Sequence, residues 1–293
     1  MAAPTWTLIG WDAAVAPRNN AVITVRLRGA TLELGAPLRP GSAAELVEAL
    51  KRAVHSDTEG AVLLCLDAPI GWPLALGRAL VGHRAGAPVK VPADRLFRRA
   101  TDHDIRTRLG KTPLDIGADR IARTSRTALE TLDRLSSALG TQIEPVVGLA
   151  PMERSGPTAR AETLQRISPS GLLGAESDAP ILPAGRIPLI ESYPAGWFAS
   201  ESLNTRGYRP PAAGKRRAEL LGSVLELLKR RGVEPRFVEA DAAARLAERA
   251  DDLDALVCTL NGLDLLEGLI EPPPPALQPR VAVEGWIWTK SRG

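Results

Sequence analysis

Along residues 20–35 (NAVITVRLRGATLELG) apolar and polar positions alternate, with Ile23, Val25 and Leu27 on one side and Val22, Thr24 and Arg26 on the other. That period of two predicts two strands joined by a turn at Arg28-Gly29. Residues 5–15 (TWTLIGWDAAV) predict an earlier strand, an apolar run that ends at Asp12. Residues 59–73 (EGAVLLCLDAPIGWP) predict a buried strand, a continuous apolar run that ends at Asp67 and breaks at Pro69 and Gly71. Between them, residues 42–55 carry the helical period: Leu46, Val47, Leu50 and Val54 form one stripe, and Ser42 followed by Glu45 makes a capping box.

Farther along, Ile121, Ala128, Leu129, Leu132, Leu135 and Leu139 mark a helix over 119–139. Residues 74–170 as a whole read as helices and loops, and 144–188, rich in Pro, Gly and Ser, read as a long loop. Residues 186–198 (RIPLIESYPAGWF) predict a strand ending at Glu191, followed by a basic amphipathic helix over about 213–231. A short Ala-rich helix over 241–250 runs into the apolar helix 250–266 (ADDLDALVCTLNGLDLL). EPPPP at 271–275 reads as a stiff linker. The alternation in 280–290 (RVAVEGWIWTK) predicts a final strand. The order is β-β-β-α-β, an insertion over 74–185, then β and α, with no repeat and no clean linker. One domain over 1–293 is expected, with the mostly helical insertion inside it.

Composition narrows the chemistry. Cys65 and Cys258 both sit in apolar runs and read as small buried hydrophobes rather than a disulfide framework. His55, His83 and His103 are scattered, so no zinc cluster can be assembled from them in sequence. There is no basic leader and no apolar segment of membrane-spanning length, which points to a soluble cytoplasmic protein with no membrane partner.

The net charge of +3 is unevenly spread. Residues 84–126 hold eleven Lys/Arg against five Asp (+6), residues 205–236 nine against three Glu (+6), and residues 237–271 two Arg against nine acids (−7). Taken singly, each run suits a solvated helix face. Together they suit a protein whose acids hold cations and whose basic faces hold a nucleic acid, DNA or RNA.

The carboxylates sharpen this reading. Three predicted strands end in Asp12, Asp67 and Glu191. In an open α/β sheet, ligands bind at the carboxyl ends of the strands. Asp251 and Asp254, three apart on a helix, face the same side and would close the cluster. Such a group cannot stay fully ionised alone. Oxygen ligands without His or Cys select Mg2+, Mn2+ or Ca2+. Two such ions about 3.5–4 Å apart can activate a water and hold the leaving oxygen of a phosphodiester. Each acid also has a plainer reading: a turn cap at Asp12, a partnered buried acid at Asp67, a first-turn helix acid at Asp251.

The segments IGWDAA, LDAPIGWP, RRATD (98–102), IESYPAGWF, DDLDALVCTL and EGWIW occur in an order that resembles a predicted nuclease family with an RNase H-like fold, otherwise listed as of unknown function, over roughly residues 5–288. The D-x-x-D-A at 251–255 also resembles the C-terminal helix of RuvC-type Holliday-junction resolvases. The resemblance implies an α/β fold with a mixed five-stranded sheet in the order 3-2-1-4-5, the second strand antiparallel, flanked by helices. It implies Asp12 and Asp67 as the first- and fourth-strand acids, Asp251 and Asp254 as the terminal-helix acids, and Mg2+ or Mn2+ as the cofactor held by these four. Glu191 falls in the E-x-YP segment as a further catalytic candidate. The segment Arg99, Thr101, Asp102 reads either as a structural ion pair or as a phosphate-contacting arginine held by an acid. Lys215, Arg216 and Arg217 head the basic helix, as a solvated face or as phosphate contacts. Trp11, Trp72 and Trp197 flank the acids, as core residues or as base-stacking platforms.

The expected function is a two-metal nuclease, with a homodimer left open. The alternatives are a non-catalytic nucleic-acid-binding or scaffold protein on the same fold, or a sugar-kinase- or actin-like ATPase. The last would need Gly-rich phosphate turns that LIGWDAAV does not supply.

Overall fold

A strand that is apolar on both sides needs cover on both faces, and the first strand, β1 (Thr5–Asp12), is buried along all of its inner positions. It lies at the centre of a mixed sheet in the computed structural model, which describes residues 5–56, 60–117, 119–146, 186–270 and 272–291. The other strands are β2 (Ala21–Arg28), β3 (Thr31–Leu34), β4 (Ala61–Asp67), β5 (Ile143–Pro145), β6 (Ile187–Glu191) and β7 (Glu234–Phe237). Their order across the sheet is β5-β6-β4-β1-β2-β3-β7. β2 runs antiparallel to both neighbours, and the β1–β4, β4–β6, β5–β6 and β3–β7 pairs are parallel.

The expected α/β class with a mixed sheet flanked by helices is present, but the expected count of five strands is corrected to seven. The two added strands are edges of three and four residues, each carrying a proline. Such short polar segments have no hydrophobic period to announce them. The expected strand over 280–290 is also corrected. Its first half is a helix, Gln278–Glu284, with Pro279 in its first turn and Gly285 at its end. Only Ile287 bridges the sheet, to Glu191. Gly285 takes a φ of 75°, and a Cβ there would meet Ile70 Cγ1 at 2.6 Å, so the helix stops at a residue that only glycine fills comfortably. The loop expected over 144–188 falls mostly on 147–185, outside the described residues.

Helices cover both sheet faces. On one, Trp6, Leu8, Ile23, Leu63 and Cys65 pack against the helix Ala250–Leu266, in which every residue except Asp251 is buried. The approach is close enough that a Cβ on Gly10 would lie 2.0 Å from the Ala255 carbonyl oxygen, so glycine at this point of β1 sets the helix against the strand. On the other face, Ile9, Trp11, Leu64, Leu66 and Leu189 pack with Leu46 and Leu50 of the helix Ala43–Val54 and with Leu132 and Leu135 of Asp119–Leu139. Ser42 caps Ala43–Val54 through the Glu45 N–H at 3.2 Å. Cys65 and Cys258 are buried and free.

Candidate functional site

The parallel pairing of β1 and β4 places Asp12 directly opposite Asp67 at the strand ends. Strand alternation puts both on the face covered by Ala250–Leu266: Asp12 follows Leu8 and Gly10, and Asp67 follows Leu63 and Cys65. Asp254 enters from the first turns of that helix. Its Oδ1 and Oδ2 accept from the Tyr208 hydroxyl at 2.8 and 3.1 Å, and Arg209 Nη2 lies 3.2 Å from Oδ2.

The three acids feel one another. Asp12 and Asp67 keep some surface open to solvent yet lie deep among protein atoms. Burial first, then Asp67, Asp254 and Asp251, push the Asp12 carboxyl well above its ordinary value. Burial and then Asp254 push Asp67 up to about 8, with Arg209 opposing. Burial raises Asp254 to about 6, against the pull of Arg209 and the Tyr208 hydrogen bond. Among the described residues, neither Asp12 nor Asp67 has a hydrogen-bond or ion-pair partner, and Arg209 offsets their charge only through its field.

The negative start of the buried helix resolves into three separate pairings. Asp251 pairs with Arg249 at the surface. Asp252, fully buried, is held by Arg39 through Nη2–Oδ2 at 2.6 Å and Nε–Oδ1 at 3.2 Å. Asp254 faces Tyr208 and Arg209. The structure therefore gives Asp251 and Asp254 different partners, and both act on the strand-end acids through their fields, Asp254 more strongly than Asp251.

Glu191 occupies a different environment. It follows Leu189 rather than Ile190 in the strand alternation and so belongs to the opposite face. Its Oε1 accepts from Arg99 Nη2 at 2.6 Å, and its Oε2 accepts from Arg99 Nη1 at 2.7 Å and from the Ile70 N–H at 3.3 Å. Arg99 spends its other N–H groups on Asp102 (3.3 and 3.0 Å) and on the Glu284 carbonyl (3.1 Å). Asp102 also accepts from the Arg99 backbone N–H at 2.8 Å. Of the two readings of Arg99 and Asp102, this geometry favours the structural ion pair: all five guanidinium donors are committed to Asp102, Glu191 and the Glu284 carbonyl. Glu191 is the counter-charge of that triad. Around it, the Glu284 carboxylate accepts from the Ala100 and Leu74 N–H groups at 2.7 and 2.9 Å, and the Ile287 N–H donates to the Thr101 hydroxyl at 2.9 Å. The RRATD, IESYP and EGWIW segments thus lock the insertion and the C-terminal segment onto the strand end.

The basic helix Gly214–Arg230 divides in the same way. Arg217, buried, donates to five carbonyls: Ala247, Tyr208, Pro210, Pro211 and Glu248, at 2.6 to 3.0 Å. Its reading as a phosphate contact is corrected. Arg216 donates to the Asn204 and Arg206 carbonyls, and Lys215 is exposed. Trp11 and Trp197 are core residues with satisfied indoles, bonded to Asn20 and Asp264 at 2.8 Å each. Trp72 is half-buried.

Tyr208 and Arg209 are the functional candidates that sequence reasoning missed. They lie in an irregular loop, and the only local signal is the Pro210-Pro211 that follows them.

In kind, the donor set suits a hard cation, since it offers carboxylate oxygen only and two of its carboxylates lack partners. As the side chains stand, no group of three or more His, Cys, Asp or Glu residues among those described is placed to hold a metal ion. Asp254 is already engaged by Tyr208 and Arg209. No helix among the described residues is long and apolar enough to cross a membrane.

The architecture and the acidic edge define an α/β protein with a strand-end carboxylate site. Residues 10–278 match the family described as "Protein of unknown function (DUF429)", and the chain belongs to that family. Neither a curated protein nor a solved structure matches it.

Proposed function

We propose that this protein is a Mg2+- or Mn2+-dependent nuclease that hydrolyses phosphodiester bonds at Asp12, Asp67 and Asp254 on an RNase H-like sheet. The observation that carries the reading is the Asp12–Asp67 pair: two partnerless carboxylates, in register on adjacent parallel strands, each destabilised as an anion by its surroundings. The inner strand order β3-β2-β1-β4-β6, with β2 reversed, supports the fold assignment when β6 is counted as the fifth strand.

When bound, the cation supplies Lewis acidity toward a phosphoryl oxygen and lowers the pKa of a water. Asp12 and Asp67 would hold it, because among the described residues they are carboxylates at the strand ends without a partner. Asp254 would complete the oxygen set from the helix in place of its present contacts with Tyr208 and Arg209. Gly10 fixes how closely that helix, and so Asp254, approaches the strand ends. The exposed basic side chains, Lys215 among them, hold the polyanion without reading its sequence.

A second reading, a binding protein without catalysis, draws on the Arg209–Asp254 pair, which balances one carboxylate from within the chain. The test is cleavage of single-stranded DNA, RNA, an RNA–DNA hybrid and a four-way junction in Mg2+ and in Mn2+. Cleavage of at least one is expected. Binding at low salt without cleavage of any would favour the second reading.

A further inference from the structure

Two of the arginines near the strand ends are spent. Arg99 and Arg217 place all five of their donors on protein acceptors. Arg209 differs. Its side chain is 62% exposed, lies 5.2 Å above the centre of the Tyr208 ring, and has one anionic partner, Asp254. Its backbone is held from both sides, because one Arg217 nitrogen, Nη1, donates to the carbonyls of Tyr208 and Pro210 at 2.8 Å each. Arg216 fastens the loop upstream through the Asn204 and Arg206 carbonyls. A fixed backbone therefore carries a guanidinium that faces solvent, touches Asp254 and acts on Asp12 and Asp67 through its field. A guanidinium has five N–H groups in a planar fork suited to two oxygens of one phosphate, and the Asp254 contact leaves most of them unused.

We propose that Arg209 is the exchangeable cation of this site: it pairs with Asp254 until a divalent cation takes the carboxylates, and its freed fork then holds a non-bridging phosphate oxygen of the substrate. The inference rests on the nuclease reading and adds a substrate-contacting residue to it. It also specifies the substrate class. An arginine this exposed sits at an open edge, which a polymer backbone can cross, so the phosphate is an internal phosphodiester rather than the end of a small buried ligand.

The experiment measures Mn2+ binding by electron paramagnetic resonance for wild type, Arg209→Ala and Arg209→Lys, without nucleic acid. It then measures the affinity of each for a fluorescent single-stranded oligonucleotide in Ca2+. Because the side chain is largely exposed, all three should melt alike, which checks folding. Arg209→Ala should bind Mn2+ about fivefold more tightly than wild type, having lost the competing partner of Asp254. It should bind the oligonucleotide about tenfold more weakly, having lost a charge-assisted contact. Arg209→Lys should stay near wild type for Mn2+ but fall short for the oligonucleotide, because an ammonium lacks the fork. Equal Mn2+ affinity in wild type and Arg209→Ala, with unchanged oligonucleotide affinity, would overturn the exchange while leaving the nuclease reading standing. If no form of the protein binds Mn2+, the metal site falls and this inference falls with it.

Discussion

Arg99 and Glu191, 92 positions apart in sequence, meet as a buried two-pronged ion pair, Nη2 to Oε1 at 2.6 Å and Nη1 to Oε2 at 2.7 Å. The pair joins the helix Ala100–Leu109 of the insertion to the end of β6, and Asp102 completes it. Removing Arg99 would leave Glu191 and Asp102 buried together without a counter-charge. Arg99→Met should therefore lower the unfolding free energy by about 3–5 kcal/mol, read by urea titration of tryptophan fluorescence. A variant as stable as wild type would mean that the triad is not what anchors the insertion.

The strand-end acids predict a pH dependence whose sign is opposite to that of a salt-bridged carboxylate. The Asp67 carboxyl, ordinarily at 3.8, is pushed up to about 8 by burial and then by Asp254. The folded protein then keeps a proton that the unfolded chain has released. This contribution to stability is complete below the ordinary value and is lost as pH rises through the folded one. In chelator, the unfolding free energy of wild type minus that of Asp67→Asn should fall between about pH 4 and about pH 8. A difference that is flat across that window would show that Asp67 is not destabilised as an anion. Adding Mn2+ above neutral pH should raise the melting temperature of wild type more than that of Asp67→Asn, because the cation answers the same charge.

Asp12 and Asp67 were legible in the sequence because each is the first polar residue after a buried apolar run, and their shared face follows from strand alternation. Glu191 looks the same by that rule, yet its partner lies 92 positions away, and no local pattern reveals a partner at that distance. Arg217 reads as part of a basic face and is in fact wrapped by carbonyls of the preceding loop, Tyr208, Pro210 and Pro211, and of the distant Ala247 and Glu248. Tyr208 and Arg209 sit where there is no period at all. The alternation in 280–290 suggested a strand because Val281 and Val283 mimic one. The stronger signals were Pro279 at the helix start and Gly285 at its end, the usual punctuation of a helix. β5 and β7 were missed because three- and four-residue edge strands containing proline carry almost no signal.

Within the basic helix, neighbouring residues should behave in opposite ways. Arg217→Met strands five carbonyl oxygens and loosens the loop that carries Tyr208 and Arg209, so it should cost about 3 kcal/mol. Lys215→Ala should leave the melting temperature unchanged and reduce the salt dependence of nucleic-acid binding by about one in slope. If both variants kept full stability and lost the same salt dependence, Arg217 would have to be a surface cation after all.

On the proposed function, Asp12 and its neighbours cleave phosphodiesters with a divalent cation. That function is tested most directly by single-turnover cleavage with wild type and Asp12→Asn, each first shown to bind the same oligonucleotide. Asn keeps the shape of the side chain and removes the charge that holds the cation, whereas binding rests on exposed basic residues. Wild type should cleave in Mg2+ or Mn2+, and Asp12→Asn should not, at unchanged affinity and salt slope. Equal cleavage by the two proteins, or none by wild type on any of the four substrates, would contradict the proposed function.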